Sequence, residues 1–145
     1  MKKTITIILV LLVQSNFAKA GLNISLKKYL NENDLDKGPA QIYLLKRCSA
    51  VYAYASGVVL KSDAVSSKNF IEISNNLLFK SVELIVIEQK KKLEDAQKEA
   101  EENRKELFNN YITDGKKNWE KNNSHFKGSY ISEDMAICSQ LIEDQ

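Results

Sequence analysis

The sequence predicts an all-α protein: a small bundle of about four helices, one of them long and highly charged, stapled by a disulfide between Cys48 and Cys138. Three observations carry that expectation. Apolar residues recur at helical spacing from Ala40 to Ile142, a period that marks amphipathic helices where strict alternation would mark strands. One proline and five glycines in 145 residues leave few residues for the tight reversals of a sandwich or barrel. The two cysteines stand alone and far apart, which suits a structural bridge better than a metal or redox motif.

The first twenty residues read as an export signal. Lys2 and Lys3 head an apolar run from Ile5 to Val13, broken only by Thr6, and Ala18-Lys19-Ala20 offers the small residues that signal peptidase accepts. That run is shorter than the roughly 20 apolar residues a membrane-spanning helix needs. Cleavage is expected between Ala20 and Gly21, which places the mature chain in the periplasm or outside the cell. Gly21 has no thiol to carry a lipid. The cut removes three of the 21 basic residues and none of the 19 acidic ones, leaving 18 against 19. So balanced a chain gives no reason to expect nucleic acid or an anionic membrane surface as a partner. No later apolar stretch is long enough for a membrane span.

An oxidising compartment makes the Cys48–Cys138 bridge the natural fate of both thiols. Zinc would want four ligands at characteristic spacing, and His125 is the sole histidine. The bridge closes most of the mature chain into one loop, worth about 4–5 kcal/mol by the chain-entropy argument.

Taken in order, residues 21–37 form an N-terminal arm or short helix, with Leu22, Leu26, Tyr29 and Leu30 as its apolar side and Asn31 to Asp34 as a break. The helical domain follows over 38–145. Gly38-Pro39 opens a helix, since proline is welcome in the first turn. Gln41, Leu44, Leu45, Cys48, Val51, Tyr52, Ala55, Val58 and Val59 share its broad core face, while Lys46, Arg47, Ser49 and Ser56 fall elsewhere. Its small residues around Ala50 to Gly57 suit a central helix approached by two neighbours. Ser66 or Ser67 is placed to cap the next helix, whose stripe is Phe70, Ile73, Leu77, Leu84 and Ile87, flanked by Ile71, Leu78, Val82 and Ile85.

Thirteen of the nineteen residues from Glu88 to Glu106 are charged. The helix is expected to continue through them, supported by i,i+4 pairs Glu88–Lys92, Glu94–Lys98 and Glu101–Lys105. Only Leu93, Ala96 and Ala100 offer themselves for burial, so the segment either rests one face on the domain or projects as an arm. Lys91 and Asp95, on the face away from Leu93, are its candidate contact residues. Leu107, Phe108, Tyr111, Ile112 and Trp119 restore an apolar face, with Gly115 as a kink or close-packing point. Asn122-Asn123-Ser124 ends this helix. Ser132 is positioned as the next N-cap, with Glu133 and Asp134 in the first turn, and Met135, Cys138, Leu141 and Ile142 share the last helix's inner face.

No catalytic, cofactor-binding or metal-ligating constellation is expected. His125 lacks a nucleophile motif to serve, and glycine-rich phosphate loops, paired zinc histidines and calcium loops are missing from the sequence. The aromatic cluster Trp119, His125, Phe126 and Tyr130 surrounds one polar loop, a composition that suits an interaction hot spot. The functional expectation is an exported, non-enzymatic helical protein that binds another protein of the cell envelope. A periplasmic stress chaperone and a small helical hydrolase are the alternatives.

Overall fold

The computed structural model describes residues 24–143; the proposed signal peptide and its cleavage point lie outside them. Among the described residues every regular element is a helix: α1 Leu26–Glu32, α2 Gly38–Val59, α3 Ala64–Gln89, α4 Leu93–Asn122 and α5 Tyr130–Glu143. The bundle thus has five helices where the sequence suggested about four: the arm forms the short helix α1, and the long helix expected through the charged segment is divided into α3 and α4 at Lys90. Leu26 and Tyr29 of α1 are buried in the main core.

Helix α2 is the hub. It packs against all four other helices, most extensively against α3. That position overturns the expectation that Lys46, Arg47, Ser49 and Ser56 lie off the core, since all four are buried. A helix with neighbours on several sides has no solvent face on which to leave polar residues, and small or internally paired polar groups take their place.

The antiparallel α2–α3 seam shows how. Ile42, Ser49 and Ser56, seven residues apart, lie along the buried stripe of α2, and Ser81, Ser74 and Ser67 repeat that spacing in reverse along α3. The Ser49 hydroxyl donates to the Ser74 carbonyl at 2.7 Å, the Ser74 hydroxyl returns a bond to the Ser49 carbonyl at 2.7 Å, and the Ser56 hydroxyl donates to the Ser67 carbonyl at 2.9 Å. Each buried hydroxyl is satisfied, so small polar residues bring the backbones together without a desolvation penalty. Apolar stripes alone would have placed Ile71 and Ile87 inside; both are exposed because the serines hold the centre of the seam.

Asp63, not Ser66 or Ser67, caps α3: its carboxylate accepts from the Ser66 N–H at 2.9 Å and from the Ser66 hydroxyl at 2.6 Å. The charged segment also departs from expectation, because the helix does not run through it. Lys90 adopts a left-handed conformation (φ 53°), Lys91 and Lys92 are extended or irregular, and α4 starts afresh at Leu93 and folds back along α3. The first residue of α2, Gly38, lies against Glu88, so a helix continuing past Gln89 would have no α2 surface left to pack on, whereas a reversal lets α4 bury Ala96 and Ala100. Ala96 and Ala100 then pack against Ile42, Val82 and Ile85 in a second core cluster. Leu93, at the tip of this hairpin, is 62 % exposed, so it is not part of the buried stripe. None of the three anticipated i,i+4 pairs closes; Glu99 instead faces both Lys46 (3.9 Å) and Lys91. Burial lowers the pKa of Lys46, with Glu99 opposing the shift.

Helix α5 begins two residues before Ser132, at Tyr130, so Asp134 lies inside the helix and is fully buried instead of standing in an exposed first turn. The disulfide joins Cys48 of α2 to Cys138 of α5 with Cα atoms 5.4 Å apart, in the middle of the main cluster.

Candidate functional site

Two polar constellations stand out, one sealed and one open. The sealed one is centred on Arg47, which is 1 % exposed. Its Nε and Nη2 donate to Asp134 Oδ2 at 2.9 and 2.7 Å, and its Nη1 donates to the Tyr43 hydroxyl at 2.7 Å. The Tyr111 hydroxyl donates to the same Asp134 oxygen at 2.6 Å, and Asp134 Oδ1 accepts the N–H of Leu26 at 2.8 Å. The guanidinium also lies 5.7–5.9 Å from the ring centres of Tyr43, Tyr111 and Tyr130. Burial works to discharge Arg47, but Tyr111, Asp134 and Tyr43 around it reverse that and hold its pKa above the ordinary value. Every member of this network has its partner, and helices α1, α2, α4 and α5 all contribute. It is a structural knot whose centre, Arg47, Asp134 and Tyr111, is closed to solvent.

The sequence contained a usable pointer to this knot. Arg47 precedes Cys48, and Asp134 lies one helical turn before Cys138, so a Cys48–Cys138 bridge brings the two charges side by side. Hydropathy and helix-end position, by contrast, put Arg47 off the core and Asp134 in a first turn, because neither registers a partner 87 residues away.

The open constellation lies where α4 ends. Asn123 terminates α4 in a left-handed conformation (φ 51°), its N–H donating to the Trp119 carbonyl at 2.8 Å. The Asn118 amide reaches back to the carbonyls of Ser124 at 2.7 Å and Lys127 at 3.0 Å, tying the following loop to the last turns of the helix. The Ser124 hydroxyl accepts from the Lys127 N–H at 3.0 Å, and Gly128 supplies the positive φ (79°) that turns the chain into α5.

This loop presents His125 between two aromatics. Its ring stacks on Trp119 with centres 4.9 Å apart, and its Nδ1 pairs with the Tyr54 hydroxyl at 3.0 Å. Phe126 meets Tyr54 edge-on at 5.7 Å. Burial pushes the Tyr54 phenol up to about 12, so it stays a neutral hydrogen-bonding group at any ordinary pH. Tyr54 reaches the loop only because Gly115 leaves room: a Cβ there would lie 1.7 Å from the phenolic oxygen. The close-packing role expected of Gly115 is what the structure shows. Trp119 remains 48 % exposed, giving a flat indole on a rigid mount.

The structure therefore brings Trp119, His125 and Phe126 together but assigns Tyr130 inward, its hydroxyl donating to Asp114 at 2.8 Å and its ring over Arg47. Asp95 lies in the first turn of α4, about 36 Å from Trp119 at 1.5 Å per helical residue, and Lys91 lies in the turn that precedes that helix. They belong to a separate surface, where Lys91 pairs with Glu99 and Asp95 sits exposed in the first turn of α4. Among the described residues no group of three His, Cys, Asp or Glu side chains is placed to hold a metal ion, and no helix is long and apolar enough to cross a membrane. A groove of 370 Å³ with Ala53 and Phe108 in its lining runs between α3 and α4, where Arg104 donates to the Asn75 amide oxygen at 3.3 Å. Comparison with protein-family models, with curated proteins and with solved structures gives no match.

Proposed function

We propose that this chain is an exported helical binding protein, delivered to the periplasm or secreted after cleavage between Ala20 and Gly21, that docks a protein of the cell envelope through the Trp119–His125 platform. The observation that carries the reading is the mounting of Trp119. Binding hot spots favour tryptophan in positions already ordered before the partner arrives, since less side-chain entropy is then lost on association. Here the indole is backed by His125, which is held by Tyr54, and the loop is tied down by Asn118. The buried disulfide is in keeping with an oxidising compartment.

The test is capture from envelope extract on immobilised, disulfide-bonded protein. Trp119→Ala is expected to weaken binding of the captured partner by about 30-fold or more, equivalent to a hot spot of at least roughly 2 kcal/mol, with an unchanged melting temperature. Undiminished capture by the alanine variant overturns the platform. Prevention of client aggregation without a stable complex would favour the chaperone alternative. N-terminal sequencing of native protein checks export: the chain should begin at Gly21.

A further inference from the structure

The face of α3 turned away from α2 and α4 carries an unpartnered apolar series: Val65 is 73 % exposed, Phe79 61 % and Ile87 67 %. Its pattern is symmetric. Counted outward from Asn76, the steps of three, four, seven and eleven residues that keep to one helix face reach Ile73 and Phe79, Glu72 and Lys80, Asn69 and Glu83, and Val65 and Ile87. At every step the two ends are complementary: apolar with apolar, acid with base, amide with carboxylate, and apolar with apolar again. A face that is its own complement when reversed is what a two-fold interface requires.

We propose that α3 pairs antiparallel with α3 of a second copy of this chain, about a two-fold axis passing at Asn76. Glu72 of each copy meets Lys80 of the other, Val65 meets Ile87, and Asn69 meets Glu83, each pairing occurring twice. Phe79 of each copy enters the partner copy's groove of 340 Å³ beside α3, where Ile73, Leu77 and Ile142 supply apolar wall. Asn76 faces its own counterpart on the axis, the polar contact that fixes register in paired helices. Glu72 already has Lys68 within 3.9 Å on its own helix, but its side chain is 60 % exposed and free to turn outward. One helix per protomer reaches only the lower end of stable interface sizes, about 1,200 Å², so the dimer is reversible and concentration-dependent. This surface is separate from the Trp119 platform, and the two readings stand or fall independently.

Sedimentation equilibrium of the purified, disulfide-bonded protein over a micromolar-to-millimolar series tests the proposal. The expected result is a reversible monomer–dimer equilibrium. Glu72→Lys and Lys80→Glu each place like charges opposite one another twice and should weaken dimerisation by about tenfold or more. An equimolar mixture of these two variants should recover dimerisation as a heterodimer, because every lysine again faces a glutamate. Phe79→Ser should weaken the dimer without mixing rescue, and Trp119→Ala should leave it unchanged. Glu72, Phe79 and Lys80 are all solvent-exposed, so each variant should keep the parent's helical circular-dichroism spectrum. A monomer at every concentration, assembly beyond two copies, a dimer indifferent to all three substitutions, or failure of the mixed variants to recover overturns the proposal.

Discussion

Asp134→Asn removes one charge from the centre of the molecule at nearly constant volume. Asp134 accepts four hydrogen bonds, three on Oδ2 from Arg47 and Tyr111 and one on Oδ1 from the Leu26 N–H. Asparagine offers one acceptor oxygen and one amino group. In either rotamer the amino group points at donors: at Arg47 and Tyr111, or at the first N–H of α1. The carboxylate's charge is lost in both cases, leaving the buried guanidinium without its counter-ion. Breaking a buried pair from one side costs about 3–5 kcal/mol, a large share of the roughly 5–15 kcal/mol that holds a domain together.

Urea denaturation followed by circular dichroism at neutral pH reads this as a lower midpoint with an unchanged slope. Limited proteolysis should report the same event locally, with cleavage at Lys27 or Lys28 as α1 loses its anchor. Arg47→Met combined with Asp134→Leu removes both charges and should recover much of the loss, since hydrophobic replacement of a buried pair is often neutral or better. A cost below about 1 kcal/mol for Asp134→Asn, the range of exposed pairs, would refute the claim that these charges are desolvated. An apolar double variant as unstable as the single one would show that the unpaired charge is not the source of the cost.

Three further outcomes follow from the geometry. Cys48→Ala with Cys138→Ala opens a loop of 90 residues and should cost about 2–5 kcal/mol while the folded double variant keeps its helical spectrum; free alkylation of both thiols in native protein would deny the bridge. Gly115→Ala places a methyl 1.7 Å from the Tyr54 hydroxyl oxygen and should lose about 1–3 kcal/mol to overpacking despite alanine's better helix propensity, with a change in Trp119 fluorescence as Tyr54 and His125 shift; a more stable variant with native fluorescence would contradict the close approach. Burial raises Tyr29, Tyr52, Tyr54, Tyr111 and Tyr130, Tyr54 to about 12, so the fold favours their neutral forms. That stabilisation is complete below the ordinary tyrosine value of about 10 and is lost as pH climbs through the raised values; absorbance at the phenolate band should lag and then rise together with loss of helix, whereas smooth ionisation of all tyrosines near their ordinary value in a fully helical protein would refute it.

Sequence alone determined the elements that local chemistry controls. The 3.6-residue period and the scarcity of glycine and proline specify helices, Gly38-Pro39 starts α2, Asn122-Asn123 ends α4, and two isolated cysteines pair. The aromatic cluster around Trp119 and His125 was legible because its members are near neighbours along the chain or one helical turn from the loop. Which side of each helix faces inward was settled by packing between helices. The serine seam between α2 and α3, the exposure of Ile87 and Leu93, the turn at Lys90 and the Arg47–Asp134–Tyr111 knot all depend on which groups meet across helices. Hydropathy ranks a residue by its own cost of leaving water, and that cost vanishes when a partner distant in sequence supplies the matching hydrogen bond or charge. A buried serine or arginine is therefore indistinguishable from a surface one until the fold has delivered its partner.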